Sequence, residues 1–228
     1  MITMSRSPAY AAVVIDVDST LCGIEGIDFL AARRGGDVGT RIAALTDRAM
    51  RGEVALESVY GERLTIVQPT AADVAALADE YRESIAPGAP NAIAALRAAR
   101  VRLILISGGV RQAIAPLARA LGFSDQDLFA VSISFDSAGS YAGFDKSSPL
   151  TTQQGKTEIV RRLLAEGKLV RPVLAVGDGA TDVPLREIAD TFAAFTGFAR
   201  RSSVVAHADL ELASFAELEK AVLGRADG

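Results

Sequence analysis

The chain has 228 residues, of which half are hydrophobic and 23% are charged, and these values are typical of a compact protein with a sizeable core. Its formal net charge of −4 leaves no basic stripe that could neutralise a phosphate backbone, so nucleic acid is not an expected partner. No apolar run approaches the roughly 18 residues of a membrane span and no signal peptide is evident, so we expect a cytoplasmic protein without membrane contact.

Three apolar segments of strand length end in small or polar residues. In chain order they are "AAVVID", which ends at Asp16, "VRLILISGG", which contains Ser107, and "PVLAVGDG", which contains Asp178. Each is followed by a segment of helical composition, and continuous apolarity is typical of parallel strands that are buried on both faces. We therefore predict a doubly wound, mostly parallel α/β sheet whose polar strand ends meet beyond its carboxyl edge, where such sheets bind ligands.

The first and second predicted strands are separated by many more residues than one crossover needs. Helical spacing is present between them in "TRIAALTDRAM", "ALESVYGERLTIV" and "AADVAALADEYRESI", and Pro69 and "APGAP" interrupt it. We expect a small helical cap, residues 23–86, inserted after the first strand of a core that comprises residues 1–22 and 87–228. A cap over an active site can exclude water and select substrates.

The remaining chain predicts further elements of the core. The stretch "LFAVSISFDSAGSYAGF" alternates and turns at "DSAGS", which predicts a β-hairpin between the second and third core units. From Thr191 onward the pattern predicts one or two more strands and a final helix, "FAELEKAVL". We expect no chemistry in this last part of the chain, and we expect Arg200 and Arg201 to be solvated.

Two acids lie one residue apart at the end of the first predicted strand, in "DVDST". Residues i and i+2 of an extended segment point the same way, so Asp16 and Asp18 can face one small volume. A carboxylate can act as a nucleophile and form an acyl phosphate, which divides the cleavage of a phosphate ester into two easier steps. Asp16 fits the nucleophile, and Asp18 fits the group that protonates the leaving alkoxide and then deprotonates the attacking water.

Two carboxylates and a phosphoryl group need positive charge nearby. Asp178 in "GDGATD", Asp16 and the backbone carbonyl of Asp18 offer the oxygen ligands that suit Mg²⁺, with positions left for water and phosphate. Asp182 is expected to support this metal site from behind the ligands.

A lysine and a serine–glycine turn offer further stabilisation of negative charge. Lys156, in "QGKTE" at the start of a predicted helix, can neutralise charge shared by the nucleophile and the phosphoryl group. Ser107 and the amides of Gly108 and Gly109 can form an anion cradle before a helix. Each motif alone is common in proteins that lack this chemistry, but all four in this order, each at a strand end or a helix start, indicate catalysis.

In this order the four motifs resemble those of the haloacid dehalogenase superfamily of phosphotransferases and phosphatases. The stretches "DVDSTLCGIEGIDFLA", "TDRAMRGEVALESVYGERLTIVQP", "SGG", "YAGFD" and "GDGATD" are similar to the phosphoserine phosphatases of that superfamily, over about residues 11–195. The resemblance implies a core with a helical cap, Mg²⁺ dependence and a small phosphomonoester substrate, O-phospho-L-serine. It also implies that Asp16 is phosphorylated, and that Ser107, Gly108 and Lys156 hold phosphate.

The resemblance further implies which residues recognise the amino acid part of the substrate. Glu25 and Arg63 match such positions, and their chemistry agrees, because an acid suits the ammonium group and a guanidinium can bind the carboxylate bidentately. Met50, Arg51 and Thr181 also match substrate-contact positions. One departure is Leu56, which stands where a phenylalanine is expected to pack over the substrate.

Two alternatives remain open from the sequence. The same chemistry could serve a phosphatase or phosphotransferase that acts on another small phosphorylated metabolite. A phosphoacceptor signalling domain also combines a strand-end aspartate with Mg²⁺ and a lysine, but Asp18 and the inserted cap argue against a stable switch. The chain is expected to be a monomer or a homodimer.

Overall fold

The computed structural model describes residues 7–51, 53–54 and 56–224, without the side chains of residues 49, 50 and 56–58. The described strands are β1 (Ala12–Ile15), β2 (Arg102–Val110), β3 (Leu128–Val131), β4 (Ile133–Phe135), β5 (Tyr141–Phe144), β6 (Val173–Gly177), β7 (Thr191–Phe195) and β8 (Leu210–Leu212). The described helices are α1 (Gly26–Ala32), α2 (Val38–Met50), α3 (Leu56–Val67), α4 (Ala71–Glu83), α5 (Ala89–Ala98), α6 (Arg111–Ala120), α7 (Gly155–Ala165), α8 (Ser202–Val205) and α9 (Phe215–Leu223).

Six of these strands form one parallel sheet, in the order β3-β2-β1-β6-β7-β8. Strand β1 lies between β2 and β6, and Val13 pairs with Leu103 on one side and with Leu174 on the other. Every residue of β1 is buried, so both faces of the sheet are covered at this strand. The predicted doubly wound parallel sheet is confirmed, and it brings the ends of β1, β2 and β6 side by side.

Five of the described helices, α1 to α5, lie between β1 and β2, and the first four, α1 to α4, form the insertion. The chain leaves and re-enters the core through two adjacent segments, because the Gly23 amide donates to the Ser84 carbonyl at 2.8 Å and the Ala86 amide donates to the Leu21 carbonyl at 2.8 Å. Helix α1 packs against the other three helices, and α4 also packs along α6 of the core. The insertion therefore has a narrow neck, while its boundaries at residues 23–86 stay a prediction.

The predicted hairpin is present, but it begins later in the chain than the sequence pattern indicates. The segment "LFAV" is not a hairpin strand but β3, which joins the edge of the main sheet, where Leu128 pairs with Leu105. The hairpin consists of β4 and β5, and Asp136 accepts hydrogen bonds from the amides of Ala138 and Ser140 in its turn. The alternating pattern runs unbroken through both strands, so it does not show that the chain changes sheets between them.

The described residues contain no helix that is both long enough and apolar enough to span a membrane.

The predicted strands β7 and β8 and the final helix α9 are present. Ser214 caps the start of α9, because its side chain accepts a hydrogen bond from the Glu217 amide.

Candidate active site

Residues at the ends of β1 and β2 and in the loop after β6 line one cavity beneath the inserted helices, while Ser107 and Asp178 are buried and do not line it. The core contributes one group of lining residues: Asp16, Asp18, Gly108, Gly109, Lys156, Thr181 and Asp182. The inserted segment contributes the other: Glu25, Gly26, Ile27, Asp28, Thr46, Tyr60 and Arg63. The cavity therefore has an acidic core side and a mixed-charge side formed by the insertion.

The loop after β1 curls so that Asp16 and Asp18 both line this cavity. Ser19 adopts a left-handed conformation, with φ of 52°. The Cys22 amide donates back to the Val17 carbonyl at 2.9 Å, which closes the turn. A non-glycine residue in the left-handed region is uncommon and occurs at functional loops, where the surrounding structure holds it.

The Asp18 carboxyl accepts hydrogen bonds on both of its oxygens. Oδ1 accepts from the Tyr81 hydroxyl at 2.6 Å and from the Gly26 amide at 3.0 Å, and Oδ2 accepts from Ser107 Oγ at 3.2 Å. Burial raises the pKa of Asp18 above its ordinary value, while the hydrogen bonds from Tyr81 and Gly26 act in the opposite direction. A carboxyl with a raised pKa suits a group that gives and takes a proton.

Lys156 lies in the first turn of α7 and bridges two aspartates. Its Nζ lies 2.6 Å from Oδ1 of Asp16 and 2.6 Å from Oδ1 of Asp182. Burial by itself lowers the pKa of Lys156, but the two carboxylates outweigh burial and raise this pKa above its ordinary range. Lys156 is therefore a fixed cation beside Asp16.

Asp178, which follows β6, is buried and contacts another side chain through each of its carboxylate oxygens. Its Oδ1 accepts from Thr20 Oγ1 at 3.1 Å, while its Oδ2 forms an ion pair with Nη1 of Arg201. Carboxylate oxygens of Asp16, Asp178 and Asp182 lie within 4.8 Å of one another. Such a cluster of hard oxygen ligands fits a divalent cation such as Mg²⁺.

Asp182 is held through both of its carboxylate oxygens. Its Oδ1 contacts Lys156, and its Oδ2 accepts from the Gly179 amide at 3.0 Å. Gly177 leaves room for this side chain, since a Cβ there would lie 2.1 Å from Asp182 Cγ. This geometry agrees with a supporting part for Asp182.

The end of β2 contributes Ser107, Gly108 and Gly109. Ser107 Oγ accepts the Gly109 amide at 2.8 Å, so that amide is already used within the turn. The Gly108 carbonyl accepts a hydrogen bond from the Tyr60 hydroxyl of α3 at 2.7 Å. A Cβ at Gly109 would lie 2.8 Å from Oδ2 of Asp18, so a larger residue at this position would collide with that carboxyl.

Arg63 of α3 is a buried cation on the insertion side of the cavity. Its Nη1 donates to Thr46 Oγ1 at 2.7 Å, and the Thr46 hydroxyl in turn donates to Asp28. Arg63 Nε is buried and has no hydrogen-bond partner among the described residues. A buried, partly unsatisfied guanidinium that lines a cavity is well suited to bind an anionic group of a ligand.

Glu25 lies beside the same cavity, immediately before α1. Its Oε1 accepts from Ser19 Oγ at 2.7 Å and lies 3.5 Å from Nη2 of Arg201. Burial raises the pKa of Glu25 to about 7, with the Asp18 charge adding to the rise. The insertion side of the cavity thus contains both an acid, Glu25, and a guanidinium, Arg63.

Comparisons with known proteins agree with this geometry. A family model described as haloacid dehalogenase-like hydrolase matches residues 10–190. The chain is a haloacid dehalogenase-like hydrolase.

Relatives of this hydrolase include two enzymes with a named activity. The chloroplastic phosphoserine phosphatase of Arabidopsis thaliana is 37% identical over 209 residues, which cover 91% of this chain and 70% of that protein. The phosphoserine phosphatase of Homo sapiens is 35% identical over 207 residues, which cover 91% of each chain. A phosphoserine phosphohydrolase-like protein from Francisella tularensis has a crystal structure with a TM-score of 0.82 and 25% identity, covering 91% of this chain and 97% of that one.

One functional contact of this haloacid dehalogenase-like hydrolase was not expected from its sequence. Arg201, which follows the residues matched by the family model, contacts Oδ2 of Asp178 and approaches Glu25. The expectation that Arg201 is solvated is therefore wrong, whereas its neighbour Arg200 is exposed and pairs with Glu211. The sequence does not show which of two adjacent arginines points inward.

The remaining predicted substrate contacts have different locations in the structure. Thr181 is buried and lines the cavity. Arg51 is exposed at the end of α2, where it pairs with Asp47 and Glu53, and it does not line the cavity.

The side chains of Met50 and Leu56 lie outside the described part of the structure. The substrate contacts of Met50 and Arg51 stay predictions, and so does the place of Leu56 over the substrate.

Proposed function

We propose that this haloacid dehalogenase-like hydrolase converts O-phospho-L-serine and water to L-serine and phosphate. The observation that carries the proposal is that one cavity has the Asp16–Asp18 pair on its core side and buried Arg63 with Glu25 on the other. Phosphoserine has the matching charges, with a phosphate at one end and a carboxylate and an ammonium group at the other. The named activities of the relatives agree with this substrate.

In the first step, a carboxylate oxygen of Asp16 attacks phosphorus, and the bond from phosphorus to the serine oxygen breaks. Asp18 donates its proton to that oxygen, so serine leaves as a neutral alcohol. In the second step, Asp18 accepts a proton from water as the water oxygen attacks phosphorus. The aspartyl-phosphate bond breaks, and both carboxyl groups return to their starting states.

Positive charge and hydrogen-bond donors would stabilise the phosphoryl group during both steps. Lys156 neutralises Asp16 before attack, and its position beside that carboxylate lets it face the phosphoryl oxygens afterwards. Ser107 and the Gly108 amide complete the phosphate contacts in this proposal, while the Gly109 amide supports Ser107.

Mg²⁺ is the proposed cofactor, held by Asp16, Asp178 and the backbone carbonyl of Asp18. The crowding of the carboxylate oxygens of Asp16, Asp178 and Asp182 supports this assignment, and a metal ion would replace Arg201 as the partner of Oδ2 of Asp178. When bound, the ion would neutralise charge between these carboxylates and the phosphoryl oxygens.

Arg63 and Glu25 are the proposed contacts for the amino acid end. The free Nε of Arg63 and its fixed position on Thr46 favour binding of a carboxylate. Glu25 in its ionised form would accept hydrogen bonds from the ammonium group, and Arg51, Met50 and Thr181 would add contacts.

We also propose that residues 23–86 act as a cap that closes over the bound substrate and opens to release serine. The hydrogen bond from Tyr60 to the Gly108 carbonyl is one contact that such opening would break. The cytoplasmic location and the choice between monomer and homodimer stay predictions.

Phosphate release from a panel of phosphorylated metabolites tests this function. The panel contains O-phospho-L-serine, phosphothreonine, sugar phosphates and an aryl phosphate, each with Mg²⁺ and with a chelator. We expect the highest kcat/KM for phosphoserine and loss of activity on chelation. Metal-dependent activity with another preferred substrate would support the catalytic assignment and refute phosphoserine as the substrate. Addition of a second alcohol would reveal phosphotransfer.

A further inference from the structure

Tyr81 of α4 directs a phenol hydroxyl at Asp18. The Tyr81 side chain is fully buried, and its hydroxyl lies 2.6 Å from Oδ1 of Asp18. The backbone at this position is also held, because Cys22 Sγ donates to the Tyr81 carbonyl at 3.3 Å. In this contact the phenol hydroxyl donates and the carboxyl oxygen accepts.

The hydrogen bonds to Asp18 distinguish its two oxygens. Oδ1 accepts two donors, the Tyr81 hydroxyl and the Gly26 amide, whereas Oδ2 accepts only the longer 3.2 Å bond from Ser107 among the described residues. A proton on Oδ1 would compete with both donors. The less engaged Oδ2 is therefore the oxygen that can carry a proton and release it.

The main chain around Asp18 fits the Tyr81 hydroxyl. A Cβ at Gly26 would lie 2.3 Å from the Tyr81 hydroxyl oxygen and 3.4 Å from Oδ1 of Asp18. Glycine is therefore required at position 26 because its missing side chain leaves space for the phenol, while its backbone amide donates to Asp18. An ordinary buried tyrosine needs only one partner for its hydroxyl, which a carbonyl or water could supply.

We propose that Tyr81 is a positioning residue for the acid/base steps: its hydroxyl fixes Oδ1 of Asp18 and directs Oδ2 to the leaving oxygen and then to water. The inference rests on the proposed function. In the first step, the proton moves from Oδ2 to the serine oxygen as the bond from that oxygen to phosphorus breaks. In the second, Oδ2 takes a proton from the water that attacks phosphorus, and the Tyr81 proton remains on the phenol throughout.

The test compares two leaving groups in single turnovers with enzyme in excess. The serine oxygen is a poor leaving group and must be protonated as it leaves, whereas 4-nitrophenolate leaves without a proton. For Tyr81→Phe, we expect the rate of serine release to fall about 10- to 100-fold, while nitrophenolate release stays within about threefold of wild type. Tyr10→Phe is the matched control, because Tyr10 donates a comparable hydrogen bond to Thr191 in another part of the core.

Equal losses for both leaving groups would overturn the proposal, because they would indicate a general disturbance that includes Asp16. An unchanged rate of serine release would overturn it as well. A failure of the proposed function is visible separately. In that case the unmodified protein does not release serine from phosphoserine, or the Asp16→Asn variant still releases it.

Gly26→Ala provides a second test that keeps the tyrosine. The added methyl group would displace the Tyr81 hydroxyl, so we expect the same selective loss of serine release. In the double variant with Tyr81→Phe, the 2.3 Å contact with the hydroxyl is absent and only a 3.2 Å contact with the ring carbon Cζ remains. We therefore expect a rate close to that of the Tyr81→Phe variant. Additive losses would contradict the coupling of Gly26 to Tyr81 and overturn the proposal.

Discussion

The ammonium nitrogen of Lys156 lies 2.6 Å from Oδ1 of Asp16, and the two side chains are only 6% and 7% exposed. At this burial the pair is poorly screened by water, so each charge depends on the other. Lys156 also holds Asp182, which makes it the common partner of two buried acids.

Replacing Lys156 by Met should therefore reduce both stability and activity. It leaves Asp16 and Asp182 buried without their cation, and we expect a loss of about 3–5 kcal/mol in the free energy of unfolding. Urea unfolding measures this loss, and phosphate release measures activity. Lys168→Met is the matched control, because Lys168 is 63% exposed and pairs with Glu166 at the surface; similar losses in both variants would contradict the argument.

Asp16→Asn should abolish turnover without unfolding the protein. We expect kcat to fall by at least about 1,000-fold, because the amide cannot form the aspartyl-phosphate. The Tm without metal should change little, because Lys156 keeps Asp182 as its partner and the change removes one negative charge from a crowded cluster of acids. Asp37→Asn, at an exposed aspartate that pairs with Arg41, serves as control. A fully active Asp16→Asn variant would exclude Asp16 as the nucleophile.

Arg201→Gln should strengthen Mg²⁺ binding. The guanidinium contacts Oδ2 of Asp178, the oxygen proposed for the metal, so its positive charge opposes the ion. We expect the Mg²⁺ concentration that gives half of the maximal Tm increase to fall about tenfold. The neighbouring Arg200→Gln should leave it unchanged, because Arg200 pairs with Glu211 instead. Weaker Mg²⁺ binding in Arg201→Gln would indicate that Arg201 orients Asp178 for the metal.

Arg63→Gln should impair recognition of phosphoserine more than catalysis. The loss of a charge-assisted hydrogen bond to the substrate carboxylate predicts a KM at least about tenfold higher for phosphoserine. KM for an aryl phosphate, which has no carboxylate, should change by less than about twofold on the same grounds. Arg48→Gln, at an exposed arginine of α2, is the control. An equal rise in KM for both substrates would refute a carboxylate contact by Arg63. The Arg51→Gln variant, measured in the same way, tests whether Arg51 contacts the carboxylate.

The pH dependence of KM should report Glu25. Because the pKa of Glu25 is raised to about 7, this carboxyl becomes protonated as the pH falls through that value and can no longer pair with an ammonium group. KM for phosphoserine should therefore rise as the pH is lowered from 8 to 6, and Glu25→Gln should flatten the profile. An aryl phosphate measured in parallel corrects for titration of the phosphate group. The same profile in Glu25→Gln and in the unmodified protein would exclude Glu25 as the titrating contact.

The sequence predicts the sheet well because its central strands have a strong local signal. Strands β1, β2 and β6 are continuous apolar runs that end in polar residues, and burial on both faces requires that composition. Strand β3 lies at the edge of the sheet and has two half-exposed residues, so it resembles a hairpin strand in composition. Only its pairing partner distinguishes the two, and pairing is not a local property.

Local motifs also identify the core side of the candidate site, but not the contacts that support it. The apolar face of α4, with Val74, Leu77 and Ala78, predicts that Tyr81 is buried, yet nothing local indicates that its hydroxyl meets Asp18. The hydrogen bond from Thr46 to Asp28 and the approach of Arg201 likewise depend on how distant segments pack. Such contacts become visible only when the chain is folded.

The central place of β1 in the sheet has a consequence for the order of assembly. Ala12 pairs with Arg102 on one side and with Val173 on the other, so the strand that carries Asp16 is completed by partners that emerge late from the ribosome. Pairings between residues distant in sequence form slowly, because closing a long loop costs chain entropy before the new contacts stabilise the strand. A nascent chain that has not yet reached Val173 has β1 exposed along one edge, which is a site for aggregation as well as for chaperone binding. The residue proposed to react first is thus among the last to acquire its surroundings.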